Sequence, residues 1–149
     1  MNQYRKMKDE HQKRVDALPI KFAFSMQQFR EAMEGWGLSE NDTDKIYKMG
    51  STGGFYRRED SKLIVDTLSQ NSREMREAIA ADTDGTGFVK DMFLYELANH
   101  EYCITYDLEP TLDALGMTED EVLASPALKN GLILARREYL VEAEENGWY

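Results

Sequence analysis

The sequence has few of the residues that build covalently linked or metal-stabilised folds. It contains one cysteine, Cys103, and two histidines among 149 residues. A single cysteine cannot form an internal disulfide, and this Cys/His set is too small for a structural zinc site. We therefore interpret Cys103 as a small core residue, and we expect no metal, no cofactor and no catalytic residues.

Long apolar runs are also missing from the sequence. No stretch approaches the roughly 20 apolar residues that a membrane helix needs, and Met1–Glu10 is charged where a signal peptide would be apolar. These absences indicate a cytosolic protein that does not bind membranes. The length of 149 residues fits one domain that can bury a core without disulfides.

No Lys or Arg occurs between Lys90 and Lys129, a segment that contains nine acidic residues. The whole chain has 18 Lys and Arg against 28 Asp and Glu, which gives a net charge of −10. Such a segment is either a solvated face that aids solubility or a surface for a basic partner, and it argues against direct nucleic-acid binding. The six acidic residues that we single out for partner binding are Asp107, Glu109, Asp113, Glu119, Asp120 and Glu121.

The spacing of apolar residues predicts the fold class. We expect an α+β, mainly α protein, a single compact domain over residues 1–149 with about six helices and two or three short strands. Residues 1–18 are expected to form a basic and peripheral N-terminal helix. Other predicted helices include 39–49, 61–81, 89–100 and 126–145, and the predicted strands are 20–24, 55–56 and 102–106. Ser25, Thr118 and Ser125 are the expected helix N-caps.

A glycine-rich segment followed by two arginines is a candidate ligand site. The backbone N–H groups of Gly53 and Gly54 and the side chains of Arg57 and Arg58 could together bind a phosphate or carboxylate. The sequence lacks the Gly-Lys-Ser/Thr ending of a P-loop. The alternative is a helix stop and turn in which the arginines neutralise neighbouring acids.

Two further patterns have a structural interpretation beside a functional one. Asp82–Gly87 matches the start of a calcium-binding EF-hand loop, but its twelfth position is Phe93, which cannot ligate, so a turn between helices is favoured. Glu96 and His100 are four residues apart on one predicted helix face. They could bind a metal or exchange a proton, but a histidine that helps to end the helix is favoured.

Several segments, taken together, resemble a family of small uncharacterised proteins from gut Firmicutes, their phages and other mobile elements. The resemblance covers roughly residues 20–135. It rests on Asp42–Tyr47, Gly50–Arg57, Glu77–Phe88 and Tyr95–Tyr102. No activity is assigned to that family, so the resemblance implies no site residues. It implies a genetic setting in which small acidic proteins often neutralise host defences.

Charge and resemblance together lead to one hypothesis and one alternative. The hypothesis is a non-enzymatic anti-defence protein of the anti-CRISPR or antirestriction type. In the host cytosol, its acidic surface would act as a DNA mimic and block a basic partner such as a defence nuclease. The alternative is a small-ligand or nucleotide-binding module built on the glycine-rich segment and its arginines.

Overall fold

The structure, a computed structural model, describes residues 1–148 and consists mainly of helices. The chain divides into two compact units. Unit 1 comprises Met1–His11 and the chain from Arg73 onward, and unit 2 comprises Gln12–Ser72. Helices predominate and the strands form one small antiparallel sheet, which confirms the predicted α+β, mainly α class.

The described residues contain eight α-helices and three β-strands, where about six helices were expected. The helices are α1 Gln3–Asp16, α2 Met26–Gly35, α3 Ser61–Ala81, α4 Phe88–Asn99, α5 Tyr102–Thr105, α6 Glu109–Ala114, α7 Glu119–Ala124 and α8 Pro126–Glu145. The strands are β1 Lys21–Phe22, β2 Ile46–Lys48 and β3 Gly54–Arg57. Among residues 1–148, no helix has both the length and the hydropathy to cross a bilayer.

Side-chain caps begin three of these helices at the predicted residues. The hydroxyl of Ser25 accepts a hydrogen bond from the backbone N–H of Gln28 at 3.2 Å and starts α2. Thr118 caps α7 in the same way, and Ser125 caps α8. Each cap satisfies a backbone N–H that has no partner within its helix, so these helix starts are encoded locally.

Unit 2 is built from α2 and the three-stranded sheet. The strand order is β1-β3-β2, and the segment between β2 and β3 is the glycine-rich turn of a hairpin. Met33, Ile46 and Phe55 are buried together between α2 and the sheet. The predicted helix 39–49 is therefore wrong, because Ile46–Lys48 pairs with β3 and only a short 3-10 turn precedes it.

Unit 1 has its core between α4 and α8. Val89, Met92, Phe93 and Leu97 of α4 are fully buried, which confirms the strongly apolar helix predicted there. The predicted strand 102–106 is wrong, since these residues form the single helical turn α5. Burial explains the difference. Tyr102 and Cys103 are both buried although they are adjacent, whereas a strand at a surface would bury alternate residues.

The Asp82–Gly87 segment is a tight turn between α3 and α4 and approaches α8 closely. Gly85 has a φ of +77°, and an added Cβ would lie 2.0 Å from the carbonyl oxygen of Ala127. A Cβ on Gly131 would lie 2.5 Å from Cγ1 of Val89 and 2.8 Å from the carbonyl oxygen of Gly85. Two glycines thus allow the backbones of the turn and α8 to approach each other at the centre of unit 1.

We predict that Gly131→Ala destabilises the protein by about 1–3 kcal/mol, because the new methyl group overpacks the contact with Val89 and Gly85. Helix propensity alone predicts the opposite sign, a gain of roughly 0.5–1 kcal/mol. Urea unfolding of Gly131→Ala measures the free energy directly, with the exposed neighbour Lys129→Ala as the control. A variant as stable as the wild type would contradict this packing.

Candidate functional site

The acidic segment contains three short helices, α5, α6 and α7, and residues of these helices and of the turns between them line a cavity. Backbone geometry defines the bends, because Glu101 and Tyr106 flank α5 in the left-handed conformation, with φ of 52° and 54°. Asp107 then accepts a hydrogen bond from the backbone N–H of Glu109 at 3.0 Å as α6 begins. The result is a chain that turns back on itself and brings distant acidic residues together.

Four of the six predicted partner-binding residues line this cavity, which has a volume of about 530 Å³. They are Asp107, Glu109, Asp113 and Glu119, and we call the site the acidic cavity. All four side chains are exposed to solvent. The other two predicted residues, Asp120 and Glu121, lie in the first turn of α7 and do not line it.

Aromatic and aliphatic side chains complete the wall of the acidic cavity. Tyr102 is buried, whereas Tyr106 is 57% exposed, and their rings meet edge to face with centroids 5.7 Å apart. Leu112 and Met117 contribute aliphatic surface. The cavity therefore combines four carboxylates with apolar surface.

The carboxylates of the acidic cavity are not neutralised by neighbouring cations. Within residues 1–148, no Lys or Arg nitrogen lies within 4.0 Å of any of the six predicted acidic residues. Arg136 of α8 is the basic residue of the lining, so the cavity has four carboxylates against one guanidinium. The sequence alone does not decide whether these acids point in different directions, pair with cations or lie together. In the structure, four of them lie at one cavity without an ion-pair partner.

The glycine-rich segment and its arginines do not converge. Gly53 and Gly54 line one cavity of unit 2, whereas Arg57 and Arg58 line another. Arg57 forms ion pairs with Glu59 at 2.9 Å and Asp60 at 2.8 Å. Arg58 stacks on the ring of Tyr47 at 4.5 Å. Arg57 thus neutralises two neighbouring acids, whereas Arg58 packs on an aromatic ring.

Glu96 forms a buried charged cluster that sequence reasoning identified only in part. Its side chain is 1% exposed and accepts hydrogen bonds from the hydroxyl of Tyr4 at 2.7 Å and from Nζ of Lys8 at 3.1 Å. Nε2 of His100 lies 3.2 Å from its other oxygen, outside hydrogen-bond geometry. The spacing of Glu96 and His100 revealed one contact, but no local signal pointed to Tyr4 and Lys8.

The contacts of Glu96 determine its protonation state. Burial raises the pKa of this carboxyl group, but the Tyr4 hydrogen bond, the Lys8 ammonium and His100 outweigh burial, so that the net pKa is lowered. Burial and the bond to Glu96 raise the pKa of Tyr4. Glu96 is therefore a buried carboxylate at neutral pH and stabilises the docking of α1 on α4.

The Asp82–Gly87 segment and Cys103 also have structural roles. The carboxylate of Asp82 accepts hydrogen bonds from the backbone N–H groups of Gly87 and Val89 and thereby caps α4, which fits the turn interpretation. Among residues 1–148, no group of three or more acidic, His or Cys side chains is arranged to hold a metal.

Cys103 is buried and accepts a hydrogen bond from the hydroxyl of Tyr139 at 3.1 Å. Burial and the contact with Cys103 raise the pKa of Tyr139 to about 12.

Comparisons with known proteins give one family assignment. A family model described as a family of unknown function (DUF7659) matches residues 3–138. No curated protein and no solved structure matches the chain. The site must therefore be interpreted from its own chemistry.

We predict that Glu96→Gln costs about 1.5–3 kcal/mol of unfolding free energy at neutral pH, because it removes the charged acceptor of the hydrogen bonds from Lys8 and Tyr4. The pKa of Glu96 is lowered on folding, so its contribution is present above the unfolded pKa of about 4.3 and is lost as the pH falls through the folded value. The stability difference between wild type and variant therefore shrinks below about pH 4. Urea unfolding at several pH values from neutral down to about pH 2.5, well below the unfolded pKa, measures it.

Glu144→Gln is the matched control, because it makes the same chemical change at an exposed position of α8. We expect a change within about 0.5 kcal/mol for this surface substitution. If Glu96→Gln lowers the free energy of unfolding by the same amount at every pH, the charge of Glu96 does not contribute to stability.

Proposed function

We propose, from the premise that the chain belongs to the family of unknown function DUF7659, that it is a non-enzymatic binding protein whose acidic cavity holds a cationic side chain of a basic partner. The observation that carries this proposal is the grouping of four unpaired carboxylates around one cavity of about 530 Å³. Covalent catalysis of the Ser-His-Asp type would in addition need a Ser or Cys nucleophile, a His base and an orienting group in one place. The acidic cavity contains no such set among the described residues that line it.

The chemistry of the lining favours an arginine or lysine side chain as the occupant. Its aliphatic stem would lie along Leu112 and Met117, and its charged head would reach the carboxylates of the rim. A guanidinium can also form paired hydrogen bonds with one carboxylate and stack on a tyrosine ring. Tyr106, more than half exposed, offers such a ring.

The partner class follows from where exposed arginines and lysines are concentrated. Proteins that handle nucleic acids carry them in grooves that neutralise phosphates, and a carboxylate surface competes for those grooves. We propose that the partner is a defence nuclease and that the protein acts as an anti-CRISPR or antirestriction inhibitor. Its setting would be the cytosol of gut Firmicutes that carry the gene on a phage or mobile element.

We predict that Glu109→Lys combined with Asp113→Lys weakens binding to an oligo-arginine peptide by at least about tenfold at low salt, because two carboxylates of the rim are reversed. Raising the salt from about 50 to about 200 mM should weaken wild-type binding and change the variant little. Fluorescence anisotropy of a labelled peptide measures both effects.

The matched control is Glu144→Lys combined with Glu145→Lys, which makes the same change in net charge at exposed positions away from the acidic cavity. If the site is specific, the control loses less than about threefold in affinity. Equal losses in the two double variants would mean that net charge alone attracts the peptide. Bacterial proteins retained by the immobilised wild type and control, but not by the cavity variant, would then be candidate partners.

A further inference from the structure

The cavity of unit 2 that Gly53 and Gly54 line has a volume of about 450 Å³. It is formed by the start of α2 and the β2–β3 hairpin. Its walls are largely aromatic and aliphatic. They include Phe24, Met26, Phe29 and Phe55. Cavities of this size with mainly apolar walls and a few polar groups are typical of small-molecule sites.

Two apolar side chains at this cavity remain exposed in the folded chain. Phe24 is 78% exposed and Met26 is 63% exposed. Phe22, on the adjoining strand, is also more than half exposed. Leaving several large apolar groups in water at one place is unfavourable, and such a patch marks a surface that binds something apolar.

Glycine determines the shape of the cavity floor. Gly53 has a φ of +79°, which other residues rarely adopt, and an added Cβ would lie 2.7 Å from Cε1 of Phe24. A Cβ on Gly54 would lie 3.0 Å from Cε1 of Phe22. The two glycines therefore let the phenylalanine rings lie directly against the backbone of the hairpin.

One uncompensated cation lies beside this apolar surface. Lys48 is the register partner of Phe55 in the antiparallel sheet, so the two side chains project from the same face. Within residues 1–148, no hydrogen bond or ion pair engages the Lys48 ammonium. The acidic residue of the lining, Glu40, is paired with Arg30 at 3.3 Å. The cavity thus presents apolar walls and one free positive charge.

We propose that this cavity binds a small amphipathic carboxylate, with its apolar body against Phe24, Met26, Phe29 and Phe55 and its carboxylate at the ammonium of Lys48. The charge of Lys48 selects an anion, and the apolar walls exclude a strongly hydrated one such as a free nucleotide. Thr43, which also lines the cavity, offers a hydroxyl donor to the same carboxylate. This site is independent of the acidic cavity and differs from the glycine–arginine site, since Lys48 replaces the two engaged arginines.

The test uses decanoate and decanol as probes, each below its aggregation concentration, with the full-length protein in a calorimeter. The two probes share one apolar chain and differ in the carboxylate. We expect decanoate to bind more tightly than decanol and Lys48→Gln to weaken decanoate by about three- to tenfold with little effect on decanol. Lys62→Gln is the control, because Lys62 is an exposed lysine paired with Asp66 and lies outside the cavity.

A second variant, Phe24→Ser, tests the apolar part of the site. Phe24 is so exposed that the variant should keep its fold, which circular dichroism and urea unfolding check. We expect it to weaken both probes. Absence of decanoate binding, or binding that is insensitive to both Lys48→Gln and Phe24→Ser, would overturn the proposal. Self-association that Phe24→Ser abolishes, without decanoate binding, would also overturn it and assign the patch to a second copy of the chain.

Discussion

The burial of the Glu96 carboxylate is the constraint on which the charge distribution of unit 1 depends. A charge with 1% exposure must be compensated within the fold, and the segment around it contains no Lys or Arg. The compensation comes from Lys8 and Tyr4 of the basic N-terminal helix. Because this cation is committed to Glu96, it is not available to neutralise the acids that follow. Within residues 1–148, no Lys or Arg forms an ion pair with the carboxylates that line the acidic cavity.

Local signals in the sequence predicted the helices well. Ser25, Thr118 and Ser125 act through hydrogen bonds to residues three positions away, so the sequence alone identifies the helix starts. The strand predicted at residues 102–106 was wrong. Its β-branched and aromatic residues favour a strand only weakly, and the burial of adjacent residues overrides that propensity. Ile46–Lys48 was missed because a strand is defined by its partner, here β3 across the glycine-rich turn.

The candidate site shows the same division between local and long-range information. A count of charges identified Asp107, Glu109, Asp113 and Glu119 as candidates, because composition does not depend on the fold. They line one cavity because the chain bends at the left-handed residues Glu101 and Tyr106, and Arg136 of α8 completes the wall. No spacing rule in one sequence encodes such contacts. The partners of Glu96 were missed for the same reason, since about ninety residues separate Tyr4 and Lys8 from it.

The geometry of the acidic residues distinguishes two ways of competing with nucleic acid. Duplex DNA presents about one charge per 1.7 Å along a rod, and a protein that copies it needs carboxylates in an extended row. Here four exposed carboxylates line one cavity instead, together with aromatic and aliphatic side chains. Under the proposed function, this arrangement would capture one arginine or lysine that the partner otherwise uses on phosphate. Asp120 and Glu121, exposed on the first turn of α7, extend the negative field around the cavity and would speed the encounter. The cavity would then determine the specificity of binding, and the surrounding negative charge would raise the association rate.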